Sequence, residues 1–235
     1  MGSRLVVRLE QLGHTVIRGD REGNVPESVD VLIDTASYGN LYGQDDELEI
    51  YRANVERVEK LLKSKSYGKA VVTSTSSVHL QVPTVYSESK KEMEKVARQH
   101  GAVIIRPYSI FGIGDYENHL IPKLFDSTLH KESIDLSLSP VHDYIWVEDL
   151  VDLYINPTSY LIEAGTGIPT NNAEVALLVQ HITGKKLNIH KLVAPRDYDS
   201  YDWYCRKPLS KFTSLEEGLT KIHEHYKQEL EKTYH

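Results

Sequence analysis

Three short runs, residues 29–35, 69–73 and 102–106, are apolar nearly throughout and are separated by stretches of helical periodicity. Strict alternation of apolar and polar residues marks a strand with one wet face, whereas a continuous apolar run marks one buried on both. Strands of the second kind, spaced by helices, build a parallel sheet with helices on either side. The chain is therefore predicted to be α/β, a doubly wound, Rossmann-like parallel sheet.

The rest of the pattern follows from the same reasoning. Residues 3–12 read as a helix, with Leu5, Val6, Leu9 and Leu12 on one face and Gly13 as its stop. A strand is expected at residues 14–18. A helix is expected over 46–65, carrying Ile50, Val55, Val58, Leu61 and Leu62, and another over 87–100. A doubly wound sheet should open on a strand, and this chain opens on a helix, so the first strand is expected to be missing or supplied by another segment or subunit. Beyond Phe111-Gly112 the pattern loosens to helices near 120–129, 173–183 and 215–230 and a strand at 144–146. That half reads as a small cap shaping a pocket over the C-terminal ends of the strands.

Composition excludes several classes. With 27 Lys and Arg against 34 Asp and Glu, the formal charge is −7, and no basic block exists to neutralise nucleic-acid phosphates. Cys205 is the single cysteine, so no internal disulfide or cysteine-based zinc site is expected. His223, His225 and His235 lie on or beyond an exposed-looking helix without a carboxylate partner, and no metal site is expected there. No run approaches the roughly 20 apolar residues of a membrane helix, and the expected location is cytoplasmic.

Chemistry points to Tyr86-Ser-Glu-Ser-Lys90, which sets a phenol and an ammonium four residues apart on one helix face. A tyrosine of ordinary pKa, about 10, exchanges protons poorly near neutrality, and a fixed cation lowers that value. Upstream, residues 71–78 form an apolar strand ending in hydroxyls, with Thr75 eleven positions before Tyr86. That return brings a hydroxyl beside the helix start.

With these residues the chain resembles the extended short-chain dehydrogenase/reductase family, the nucleotide-sugar epimerases, dehydratases and reductases. Gly2-Ser-Arg-Leu-Val is similar to the end of the family's glycine-rich segment, residues 31–36 to its D-V-V-I-H-L-A strand and Asn54-Val55 to the N-V opening its next helix. Residues 74–78, 106–112, 142–150 and 214–219 resemble S-[ST]-x-x-V, R-P-x-N-V-Y-G, R-D-Y-I-H-V-D-D-L and S-L-E-E-G-L. The resemblance implies Thr75, Tyr86 and Lys90 as the catalytic set, and Gly2, Asp20, Ala36, Asn54 and Lys90 as cofactor-binding residues. Asp20 implies NAD, although Arg18 and Arg21 would suit the 2′-phosphate of NADP. Ser76, Ser109, Asn118, His142 and Arg196 fall at substrate-binding positions, with Ser109 in place of asparagine and His142 in place of arginine.

The implied organisation is a dinucleotide-binding core at 1–112, to which 143–158 return, and a substrate-binding lobe at 113–142 and 159–235. The implied function is an NAD(P)-dependent nucleotide-sugar epimerase or ketoreductase, acting on a nucleotide-diphosphate sugar as a homodimer. Two alternatives stand beside it. One is a non-catalytic or regulatory Rossmann-fold binding protein, because only the last of the family's phosphate-loop glycines is present. The other is a dehydratase, which Ser76-Ser77 in place of an Asp-Glu pair disfavours.

Overall fold

A computed structural model describes residues 1–19, 25–41, 43–138, 140–194 and 204–233. The chain divides into two compact units, Met1–Pro107 with Leu150–Ala164, and Tyr108–Asp149 with Gly165–His235.

The first unit is built on four parallel strands, β1 (Ser28–Asp34), β2 (Ser66–Thr73), β3 (Val103–Pro107) and β7 (Leu161–Ala164), hydrogen-bonded in that order. β3 and the C-terminal half of β2 are buried on both sides, whereas Val31 of β1 is 49% exposed. Alternate β2 residues Ala70 and Val72 pack with Val58, Leu61 and Leu62 of α3 (Arg57–Ser64) and Met93 and Ala97 of α4 (Val85–Gln99). On the opposite face, Thr73 meets fully buried Tyr154 of α6 (Val147–Ile155) at 2.7 Å. The helix expected over 46–65 is one helical run with a π-helical turn at Arg52–Glu56, between α2 (Glu47–Tyr51) and α3. Asp46 starts it by accepting the Glu49 N–H at 3.1 Å.

The strand expected at residues 14–18 does not form; these residues carry no regular structure and are mostly exposed. A strand exists by pairing, and theirs is not at hand. A groove of about 830 Å³ lies between them, α1 (Gly2–Gln11) and β1, lined also by Arg57, Leu61 and Tyr154. Its walls come from both faces of the sheet, so it runs along the outer edge of β1.

In the second unit, β4 (Ser109–Phe111) pairs in parallel with β6 (Val141–Trp146), which pairs antiparallel with β8 (Pro169–Asn171); β5 (Ser133–Leu136) pairs with β9 (Asn188–Leu192). A core of Phe111, Leu124, Phe125, Trp146, Val175 and Leu219 joins them to α5 (Leu120–Leu129), α7 (Asn172–Thr183) and α8 (Leu215–Thr233). Asp143, fully buried, accepts from the Thr166, Gly167 and Cys205 N–H groups at 2.8 Å each and from the Thr166 hydroxyl at 2.7 Å. His223 is buried against Phe125, which corrects the exposed setting expected for it. Among the described residues no helix is long and apolar enough to cross a membrane, and no group of three or more His, Cys, Asp and Glu could hold a metal ion.

Candidate active site

The site of the first unit forms where β1 and β2 end and α4 begins. Thr84 caps α4 reciprocally with Ser87: its hydroxyl accepts the Ser87 N–H at 3.1 Å, and the Ser87 hydroxyl accepts the Thr84 N–H at 2.9 Å. The helix therefore starts at Val85, two residues earlier than its apolar pattern suggests. Tyr86 falls in the first turn and Lys90 one turn on. Beyond β2, Thr75 caps a 3₁₀ turn (Ser76–His79) by accepting the Ser77 N–H at 3.1 Å.

Tyr86, Thr75 and Lys90 are brought together. Lys90 is 1% exposed; its ammonium lies 5.9 Å from the Tyr86 ring centroid and donates to the Thr73 carbonyl at 3.0 Å. Burial lowers its pKa to about 8, against the nearby Asp34 carboxylate, which raises it. The cation was expected to bring the tyrosine down. Instead burial raises the Tyr86 phenol above its ordinary value, and hydrogen bonds with Ser37 and Thr75 are what oppose the rise. Desolvation of a phenolate outweighs hydroxyl partners in an enclosed position.

Several side chains without an expected role hold this arrangement. The Ser37 hydroxyl donates to the Tyr86 phenol oxygen at 3.2 Å. Arg57 and Asp34, both 8% exposed, form an ion pair of 2.8 Å at the end of β1, and Arg57 also donates to the Ala53 carbonyl at 3.1 Å. Glu94, one turn beyond Lys90, accepts the Ser74 hydroxyl at 2.6 Å, Arg98 at 2.6 Å and Arg106 through two nitrogens at 2.7 and 2.6 Å. Burial pushes Glu94 up, but the Arg106 and Ser74 hydrogen bonds prevail and hold it below the usual carboxylate range. Arg106 donates as well to Glu163 at 2.6 Å, which His79 meets at 3.0 Å.

Asn54 is not placed to touch a cofactor with its side chain. It is fully buried in the π-helical turn, where its amide accepts the Tyr38 N–H at 3.0 Å and donates to the Tyr38 carbonyl at 2.8 Å and to Ser89 at 3.0 Å. A π turn re-aims a side chain that an α-helical turn would direct elsewhere. Ala36 has its N–H directed to Asp34 at 3.4 Å and its carbonyl to Arg57 at 3.5 Å. Gly2 packs so tightly that a Cβ there would stand 3.0 Å from the Thr35 hydroxyl. Ser76 is buried at the start of its turn.

In the second unit Ser109 and His142 meet at 3.3 Å across β4 and β6. Asn118 is exposed, with its amide donating to the Tyr116 hydroxyl at 3.1 Å. Asp20, Arg21, Arg196 and His235 lie outside the described residues.

Comparison with known proteins agrees with this fold. A model of the NAD dependent epimerase/dehydratase family matches residues 39–156, half of the chain, including Thr75, Tyr86 and Lys90. GDP-6-deoxy-D-talose 4-dehydrogenase of Aggregatibacter actinomycetemcomitans is 34% identical over 87 residues, which span 34% of this chain and 30% of that protein. Among solved structures, MoeE5 in complex with UDP-glucose and NAD superposes with a TM-score of 0.84 at 20% identity, covering 97% of this chain and 96% of that one. UDP-glucose 4-epimerase of Thermotoga maritima, with UDP-glucose, gives 0.74 at 21% identity and the same coverage. RMD of Pseudomonas aeruginosa, complexed with NADPH, gives 0.79 at 16% identity over 97% and 95%. The structural likenesses carry the fold and the family model carries the lineage: the chain belongs to the NAD dependent epimerase/dehydratase family.

Proposed function

We propose that the chain is an NAD(P)-dependent enzyme that epimerises or reduces a nucleotide-linked sugar, with Tyr86 as the acid/base. The observation that carries this reading is the Tyr86 phenol oxygen set beside two hydroxyls, Ser37 and Thr75, with the Lys90 ammonium one helical turn away. A phenol so placed can take a proton from a sugar hydroxyl or return it, while Thr75 hydrogen-bonds the same oxygen.

The residues present fit a dinucleotide. Gly2, in the first turn of α1, lines one groove with Thr35 and Ala36 at the end of β1. Gly2 and Ala36 would hold the cofactor through their backbone, and Lys90 would hold its ribose. When bound, the nicotinamide supplies the acceptor or donor of the hydride. Asn54 acts behind that surface by fixing Tyr38. For the second unit by itself, the Ser109–His142 pair offers a polar contact for a phosphate or sugar hydroxyl.

A second reading, a binding protein without turnover, is favoured by the position of β1 at the sheet's edge. Among the described residues no strand lies beside its outer edge to carry a phosphate-binding turn. Calorimetric titration with NAD(H) and NADP(H), followed by assays with UDP- and GDP-sugars, separates the two. The enzyme reading expects binding of one cofactor, and a Tyr86→Phe variant that still binds it while losing about 100-fold or more in turnover. Absence of binding to either cofactor would sink the reading, and full activity in the variant would remove Tyr86 from its role.

A further inference from the structure

Resting on that reading, we propose that Ser37 is a positioning residue for the reaction, its directed hydrogen bond favouring the ionised form of the Tyr86 oxygen when the proton leaves. The bond runs from the Ser37 hydroxyl to the phenol oxygen at 3.2 Å. The phenol oxygen is thus the acceptor, and an acceptor that becomes an anion gains roughly twofold in hydrogen-bond strength. The other neighbours are shared with further partners: the Thr75 hydroxyl, which also bonds the phenol, donates to the Ser77 oxygen at 3.0 Å, and the Lys90 ammonium donates to the Thr73 carbonyl.

The surroundings fix Ser37 in that attitude. Asn54 grips both the N–H and the carbonyl of Tyr38, the next residue, and its amide also donates to the Ser89 hydroxyl. Ser89 in turn donates to the Tyr86 carbonyl at 2.7 Å. One buried amide therefore ties the backbone beside Ser37 to the backbone of Tyr86, setting donor and acceptor at a constant separation. Gly39 closes the strap with φ of +95°, where a Cβ would come within 2.7 Å of Ile50 and 3.4 Å of the Tyr86 ring. A loop held from both sides for a single hydroxyl is the geometry of preorganised charge stabilisation.

The test reads Tyr86 itself, independently of turnover. The protein is produced with ring-fluorinated tyrosine, which lowers the phenol pKa values and supplies the signal. The Tyr86 signal is assigned by its loss in Tyr86→Phe and followed by fluorine NMR against pH. Ser37→Ala should move that titration up by about one to two pH units, the size expected for a lost hydrogen bond to a charged group. Ser37→Thr should restore it, and Ser37→Cys, a weak donor, should fall between. An unmoved titration in Ser37→Ala, or in Ser37→Cys should the alanine variant not fold, overturns the proposal; so does a threonine variant that behaves like alanine. In the turnover assay the acidic limb of the pH profile should rise by the same amount with cofactor affinity unchanged. A wild-type protein that turns over no nucleotide sugar refutes the enzyme reading, whereas the NMR titration alone decides whether Ser37 favours the phenolate.

Discussion

Replacing Lys90 by Met should remove activity and yet leave the fold as stable as before or more so. The lysine is buried, and holding its pKa at about 8 in place of 10.5 costs about 3 kcal/mol at pH 7, where it is charged in both folded and unfolded chains. Methionine fills similar space without a charge. Against this gain stands the Thr73 carbonyl, which loses its ammonium donor and costs about 1–3 kcal/mol. The variant should therefore range from equal stability to about 2 kcal/mol above the wild type at pH 7. The pH dependence sharpens the expectation. Between pH 8 and 10.5 the unfolded chain binds the proton that the folded chain releases, so the wild type gains stability as pH rises. All other groups cancel between the two proteins. Urea unfolding should show the variant's advantage falling by about 2 kcal/mol from pH 7 to about pH 9.5. An advantage that stays constant, or a loss above about 2 kcal/mol at pH 7, would refute a charged, desolvated Lys90.

Two further expectations concern the charges behind the site. Arg57→Met leaves Asp34 buried without its partner and should cost about 3–5 kcal/mol in chemical denaturation, much of which Asp34→Asn in the same chain should restore. Glu94 is held below the usual carboxylate range, so its contribution is present above the unfolded carboxyl pKa and disappears as pH falls through the folded value. Glu94→Gln should flatten the acid limb of thermal stability, and an unchanged limb would show that the Ser74–Arg106 contacts do not favour the ionised form.

The parts of this structure legible in the sequence are those set by local pattern. Runs such as 69–73 and 102–106 announced parallel strands because both faces are covered at the end of β2 and in β3, while 29–35 forms its strand with Val31 exposed, and the four-residue spacing of Tyr86 and Lys90 survives as a shared helix face. Residues 14–18 looked equally like a strand, but pairing depends on a neighbour that apolar content does not reveal. The short β4, β5, β7, β8 and β9 were not foreseen. β9 is exposed along its length and so carries no burial pattern. Ser37 has the ordinary appearance of a loop serine one residue past Ala36, and its role comes only from the position of Tyr86, 49 residues away. Asn54 was legible as a residue of note but not in its direction, which the π turn sets. Arg57 looked like any polar helix residue until Asp34 lay beside it. The Thr84-x-x-Ser87 cap was a signal within reach, and it would have placed Tyr86 inside the first turn.

The outer edge of β1 bears on how the molecule comes apart. Among the described residues β1 is joined to the sheet on one side, by β2, and its other side faces the groove. Strands with one ladder lie toward the low end of local stability and open before the core does. Ser37 follows directly from this strand and is placed from two sides, through Asp34 of β1 and through Tyr38 beyond it. The clamps that place it, Arg57 on Asp34 and Asn54 on Tyr38, issue from the helical run behind β1 and are tied to α4 through Ser89. Asn54 and Ser89 tie Tyr38 to Tyr86 from the helices, so the spacing of this pair does not depend on what lies along the outer edge of β1.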